Sequence, residues 1–407
     1  MRAWDRHSIW RRRTMKNLKH WTLLVLITLG LVEITAQVGL WALHATGRIE
    51  APRSDELALT QEQKDLLANW IVTGGRYVGY SAELGWTIRP RGESGIYRAN
   101  DMGVRADREY PERPPIGRAR IATFGDSFTH GAEVELEATW QRRLEELSPT
   151  LEVINFGVDA YGLDQAYLRY IHDGRRVAAS IVLIGFMSEN INRQVSVFRP
   201  FYEPRTGMPF SKPRFELKRG DLQLLPNPLT EIGDYEELLA EPTKKLQALG
   251  AHDYFYRAQT DPPALVGLAS VRLVQEVLRR LSGRTRLSPG FEHGAYDPSS
   301  EAYRVTERVL DRFYREVEAS GSLPIVVVFP NRADLVRQSA GKPRSYEPLL
   351  EHLDGAGYRW IDLLEPLTAL SPSTLFTEGG HYTPAGHRVV AGSVLEYLDS
   401  RELATPD

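Results

Sequence analysis

Ile181-Val-Leu-Ile and Ile325-Val-Val-Val-Phe329 are continuous apolar runs with no polar residue at alternate positions. A strand that is apolar on both sides needs cover on both sides, which is the situation in a parallel sheet held between helices. Strands are expected at 119–124, 151–155, 180–186, 323–329 and about 358–362. They alternate with helical stretches at 128–148, 163–174, 298–320 and 384–399, an α/β pattern of three layers, α/β/α. Ligands in such folds bind beyond the carboxyl ends of the strands.

One of those ends carries reactive chemistry. Ile121-Ala-Thr-Phe-Gly125-Asp126-Ser127 runs a buried strand straight into Gly-Asp-Ser, presenting Ser127 at the start of the following helix. A serine there lies beside unpaired backbone N–H groups and the positive end of the helix, both suited to a developing oxyanion. Gly125 fits the tight turn that brings the backbone close to a substrate. Asp126 and Ser127 also suit a helix N-cap, so the segment alone reads either way. The counterpart is Glu378-Gly-Gly-His381 near the other end of the chain. A carboxylate three residues before a histidine, in the same loop, can orient the imidazole and stabilise its protonated form. Nucleophile, base and carboxylate are the parts of a serine-hydrolase site. His387 falls inside the expected last helix and is read as structural.

Strand–Gly-Asp-Ser near the start of a domain, with an acidic residue, two spacers and histidine near its end, resembles the SGNH (GDSL-type) hydrolase family. The resemblance covers about residues 84 to 400 and implies a flavodoxin-like parallel sheet. Ser127 then matches the nucleophile, His381 the base, and Glu378 the position usually held by Asp. Val153-Ile-Asn155-Phe-Gly157-Val-Asp-Ala160-Tyr-Gly162 matches the second family block, implying an oxyanion N–H from Ala160 or Gly162. Ile181-Val-Leu-Ile-Gly185-Phe-Met-Ser-Glu-Asn190-Ile-Asn192 matches the third, with Ser-Glu-Asn replacing the usual Gly-x-Asn-Asp. Asn190 is the expected side-chain oxyanion donor, with Asn192 second. Asp126 and Arg199 are expected to help bind substrate.

The amino terminus indicates the compartment. Residues 1 to 20 carry Arg2, Arg6, Arg11, Arg12, Arg13, Lys16 and Lys19 against Asp5 alone. The apolar run Trp21 to Leu43 follows, long enough to span a bilayer. Basic residues before the span place residues 1–20 in the cytoplasm and the rest of the chain outside it, in the periplasm. Glu33 and Gln37 interrupt the run. A mid-span acid costs roughly 2.5–3.5 kcal/mol, offset by the surrounding leucines or by pairing with a partner helix. The alternative is a cleaved signal peptide ending near Ile34-Thr-Ala36. Residues 44–83 read as a stalk with a short helix near 60–72, and 84–402 as the hydrolase-like domain. Glu83-Leu-Gly-Trp86 and Asn100-Asp-Met-Gly103-Val-Arg105 are similar to the lead-in of membrane-anchored SGNH proteins, packing on the domain or shaping the cleft mouth.

The insertion at about 195–297 interleaves basic and aromatic residues, Arg199 and Arg214 among them. That pattern suits a glycan groove or a lid with solvated charges; a possible hairpin and an apolar helix from Leu265 to Leu281 follow. A net charge of −3 argues against a general nucleic-acid binder. The absence of cysteine excludes disulfides and thiol catalysis, and no His/Asp/Glu cluster has metal-ligand spacing, so no metal or cofactor is expected. The expected function is an exported, membrane-tethered esterase or acyltransferase handling O-acetyl groups of envelope polysaccharide, with polysaccharide-assembly proteins as partners. The alternatives are a non-catalytic SGNH-fold glycan-binding or scaffold protein and a lipase acting on the nearby bilayer.

Overall fold

The structure is a computed structural model describing residues 4–46, 59–260, 268–271, 273–274 and 289–403. Two compact units are present, residues 1–54 with 258–283, and residues 55–257 with 284–407.

The first unit contains helix α1 (Trp4–Ala45). Its segment His20–Leu43 is long and apolar enough to cross a membrane, with a mean hydropathy of 2.1 over its most apolar window. Glu33 in this helix is satisfied within the unit: its carboxylate accepts the Ser270 hydroxyl at 2.8 Å and the Ser270 N–H at 3.2 Å. Ala36 and Leu40 bury against Ala269, with Leu273 packed beside them. Most of the expected helix Leu265–Leu281 lies outside the described residues.

The second unit opens with α2 (Gln61–Thr73), started by a reciprocal capping box between Thr60 and Gln63. Leu67 and Trp70, one turn apart, join the main core, and Gln63 Nε2 donates to the carbonyls of Pro204 and Thr206. Residues 59–83 therefore belong to the folded domain, which corrects the reading of 44–83 as a stalk: apolar side chains spaced three apart bury here instead of facing water.

At the centre lies a five-stranded parallel sheet: β1 (Ala119–Phe124), β2 (Leu151–Asn155), β3 (Ile181–Met187), β4 (Leu323–Phe329) and β5 (Trp360–Asp362). The order is β2-β1-β3-β4-β5, with Ile121 opposite both Val153 and Ile181. All residues of β1, β2 and β3 are buried, as expected for strands covered on both faces. The strand order reverses between β1 and β3, which puts the topological switch point at the end of the Ser127 strand.

Cover comes from α4 (Trp140–Leu147), α5 (Leu163–His172), α6 (Glu301–Ala319) and α7 (Pro384–Asp399). Helices α4 and α7 pack together, as do α5 and α6, completing the α/β/α layers. One expected element differs. The helix placed at 128–148 is broken into the single turn α3 (Ser127–His130), a 3-10 turn at Leu136–Ala138, and α4. Gly131 ends α3 in a left-handed conformation (φ 81°), and Glu133 repeats it (φ 65°), so no helix can run through. The insertion does contain a hairpin, Arg214–Lys218 with Asp221–Leu225.

Candidate active site

Strand β1 delivers Ser127 to the carboxyl edge of the sheet as the first residue of α3, buried to 3% exposure. Asp126 is the N-cap, its Oδ1 accepting the Phe128 N–H at 2.9 Å. The turn is tight because Gly125 lies under Thr129 and 2.9 Å, measured from where a Cβ would stand, from the Gly185 carbonyl. No side chain fits there.

His381 comes from the other end of the chain. An antiparallel bridge between Phe376 and Tyr382 closes residues 377–381 into a loop. The Thr377 N–H donates to the His381 carbonyl at 2.8 Å, and the His381 N–H to Thr377 Oγ1 at 3.1 Å. The imidazole rests against Phe128, the residue after Ser127, with ring centroids 5.5 Å apart. The two motifs, 254 positions apart in the numbering, thus meet at the switch point.

The expected carboxylate does not join them. Glu378 sits at the exposed tip of the 377–381 loop, and among the described residues no hydrogen bond or ion pair links it to His381. The loop's own bridge turns that position outward. The carboxylate beside the imidazole belongs to Glu133, whose Oε1 lies 3.4 Å from His381 Nδ1. The signal was its closeness to the nucleophile, six positions on, which the expectation of a continuous helix concealed.

Of the two backbone oxyanion candidates, the Gly162 N–H is occupied, donating to Gln165 Oε1 at 3.1 Å as the cap of α5. Ala160 is buried and left-handed (φ 65°), and among the described residues no hydrogen bond occupies its N–H. Asn190 follows β3 and donates its amide to Asp126 Oδ2, while its own Oδ1 has no partner. Asn192 is elsewhere, accepting the Gly290 N–H at 3.1 Å.

Asp126 and Arg199 are not free to bind a substrate. Asp126 is 2% exposed and engaged by Phe128, Asn190 and, at 4.0 Å, Arg193. Burial pushes its carboxyl up, and Arg193 opposes that shift. Arg199 turns inward to Thr206 Oγ1 at 2.8 Å and the Ala160 carbonyl at 3.4 Å; burial lowers it to about 10. Arg214 is fully buried, bonded to Glu301 and to the carbonyls of Val195 and His252. Both arginines hold loops together, so neither of the two readings of the insertion, a basic groove or solvated charges, describes them.

The lead-in packs on the domain and braces the site's loops. Trp86 Nε1 donates to the Asp159 carbonyl at 3.0 Å, and Tyr161 Oη to the Trp86 carbonyl at 2.6 Å. Arg105, 1% exposed, donates to the carbonyls of His130 at 2.9 Å, Gly131, and Val134 at 2.5 Å. His130 pairs with Tyr77 Oη at 2.7 Å and is held well below the usual imidazole range by burial. His387, as expected, is structural: it accepts the Trp140 N–H at 3.2 Å, and burial lowers it to about 3. Beside these loops lies a cavity of about 310 Å³ walled by Trp70, Tyr77, Tyr97, His130, Asp159 and Phe210.

No family model matches the chain, and no curated protein matches it. Solved structures do. A lipolytic protein of the G-D-S-L family from Desulfitobacterium hafniense is 12% identical, over 69% of this chain and 100% of that one, with a TM-score of 0.34. An α/β hydrolase from the metagenome of Lake Arreo is 12% identical, over 69% and 95%, with a TM-score of 0.38. An acetylxylan esterase from Geobacillus stearothermophilus is 14% identical, over 70% and 95%, with a TM-score of 0.36.

Proposed function

We propose that the protein is a membrane-tethered serine esterase or acyltransferase of the SGNH type, removing or transferring O-acetyl groups on exported or cell-envelope polysaccharide. The observation that carries this reading is the meeting of His381 with the Ser127 turn, at the sheet's switch point and with a carboxylate 3.4 Å from Nδ1. With Nδ1 turned to a carboxylate, Nε2 is the ring atom left to take the Ser127 hydroxyl proton. The oxygen then attacks the acyl carbonyl carbon; the tetrahedral intermediate collapses, the alcohol leaves with the proton from His381, and an acyl-serine remains. Water or a sugar hydroxyl releases the acyl group in a second round of the same proton transfers. The N–H groups of Ser127 and Ala160 are the oxyanion donors of this scheme, with the Asn190 amide; each such donor is worth about 3 kcal/mol.

The basic residues Arg6 to Lys19 in the first part of α1 and the length of its apolar stretch support an inner-membrane anchor with the second unit on the periplasmic side.

The test is turnover of p-nitrophenyl acetate by the full-length protein in detergent, beside Ser127→Ala and His381→Ala. Loss of at least about 10³-fold in both variants is expected. Equal rates in all three proteins would refute catalysis and favour the scaffold reading.

A further inference from the structure

Four features around Glu133 share one consequence. Its backbone is left-handed, φ 65°, a conformation that side chains other than glycine's rarely adopt. Its N–H donates to Tyr97 Oη at 3.0 Å, and Arg105 clamps the carbonyls on both sides of it, those of Gly131 and Val134. Its Oε2 accepts the hydroxyl of Thr377, which also receives the His381 N–H. Finally, Gly379 lies so close under the carboxylate that a Cβ there would overlap it. A braced loop and a hydroxyl partner hold one carboxylate, Gly379 leaves it room, and its other oxygen approaches His381 Nδ1 to 3.4 Å, an ion-pair separation without a hydrogen bond.

We infer that Glu133, and not Glu378, is the residue that positions the imidazole of His381. This rests on the esterase reading above and deepens it. Carboxylates that orient a base act by selecting the tautomer with the proton on Nδ1 and by stabilising the cation that forms in the transition state. Such contacts are often long in unliganded sites and shorten when substrate is bound. Glu133 reaches His381 from the nucleophile's own loop, so the loop that carries Ser127 also orients its base. The 377–381 loop needs only to present the imidazole and to leave room at Gly379. Glu378, at the tip of that loop, is free to vary.

The experiment compares full-length Glu133→Gln and Glu378→Gln in detergent, with two readouts. With p-nitrophenyl acetate, Glu133→Gln is expected to lower kcat by about 10²–10⁴-fold while KM stays within about twofold, and Glu133→Asp to recover part of the loss. Glu378→Gln should keep kcat within about twofold. A merely structural role for Glu133 would lower the yield of folded protein and leave kcat per folded molecule alone. The second readout needs no turnover: a downfield proton resonance from His381 Nδ1–H, absent in His381→Ala, should persist in Glu378→Gln and vanish in Glu133→Gln. The reverse pattern, or one in which Glu133→Gln leaves both kcat and the resonance intact, overturns the assignment. A wild type that shows the resonance but no turnover with any ester would refute the esterase reading and leave the pairing standing.

Discussion

Gly157 offers a sharp perturbation because its missing side chain keeps two functional loops together. It follows β2, donates its N–H to Asn155 Oδ1 at 2.9 Å, and lies against the α3 turn. A Cβ on residue 157 would stand 2.7 Å from the Thr129 carbonyl carbon and 2.8 Å from His130 Cα. The His130 backbone nitrogen would be closer still, so the shortfall exceeds about 0.7 Å against the 3.4 Å at which ordinary contact begins. The obstruction is backbone, so no side-chain rotation relieves it. Gly157→Ala must then push α3 and the 157–162 loop apart. Overpacking of this kind costs about 2 kcal/mol, or a fall in Tm of roughly 3 °C for a unit of this size. The same shift moves Ser127 relative to the Ala160 N–H, and a misplacement approaching 1 Å costs about 10²-fold in rate. The assay pairs thermal melting with acetyl-ester turnover of the full-length variant. Gly392→Ala is the control: it lies within α7 with open space around its Cβ position. It should keep full turnover and gain about 0.5–1 kcal/mol of stability. Wild-type turnover together with an unchanged Tm in Gly157→Ala would refute the argument that these loops are held at fixed separation.

Two further outcomes follow from buried charge. Arg120 is fully buried, its Nε 2.6 Å from Glu152 and its other donors on the carbonyls of Glu112 and Val177. Glu152→Gln removes the compensating charge and should cost about 3–5 kcal/mol in thermal or denaturant unfolding, with turnover per folded molecule unchanged. His387 is lowered to about 3 by burial, so below its unfolded value near 6.5 the unfolded chain binds a proton that the folded chain does not. Stability should therefore fall as pH drops from about 6.5 towards 3, by about 2 kcal/mol at pH 5 from this residue alone. His387→Asn should remove its share of that slope, measured as Tm against pH. His130, lowered in the same direction by burial, contributes a slope of the same sign.

The sheet was legible in the sequence because its strands are covered on both faces. Ile181–Met187 and Leu323–Phe329 are short, almost wholly apolar and rich in β-branched side chains, with Gly321 and Pro330 flanking the second, which favours strand over buried helix. The Ser127 and His381 motifs were legible for a similar reason: each follows or precedes an element whose ends are marked by Gly, Pro or a cap. Loop conformation was not legible. Glu133 and Ala160 are left-handed without being glycine, a choice set by tertiary contacts with Arg105, Tyr97 and Arg199. Nor was the fate of long charged side chains. Arg199 and Arg214 read as solvated or ligand-facing, yet each spends donors on carbonyls of loops distant in sequence. Glu378 failed for the opposite reason, since a spacing of three residues from a histidine fixes proximity along the chain but not direction.

The most direct test of the central claim is the site of covalent capture. The full-length protein, treated with a fluorophosphonate and mapped by peptide mass spectrometry, should carry one adduct, on Ser127. The adduct should be absent in Ser127→Ala and form far more slowly in His381→Ala. An unmodified protein, or an adduct on a different residue, would contradict the account.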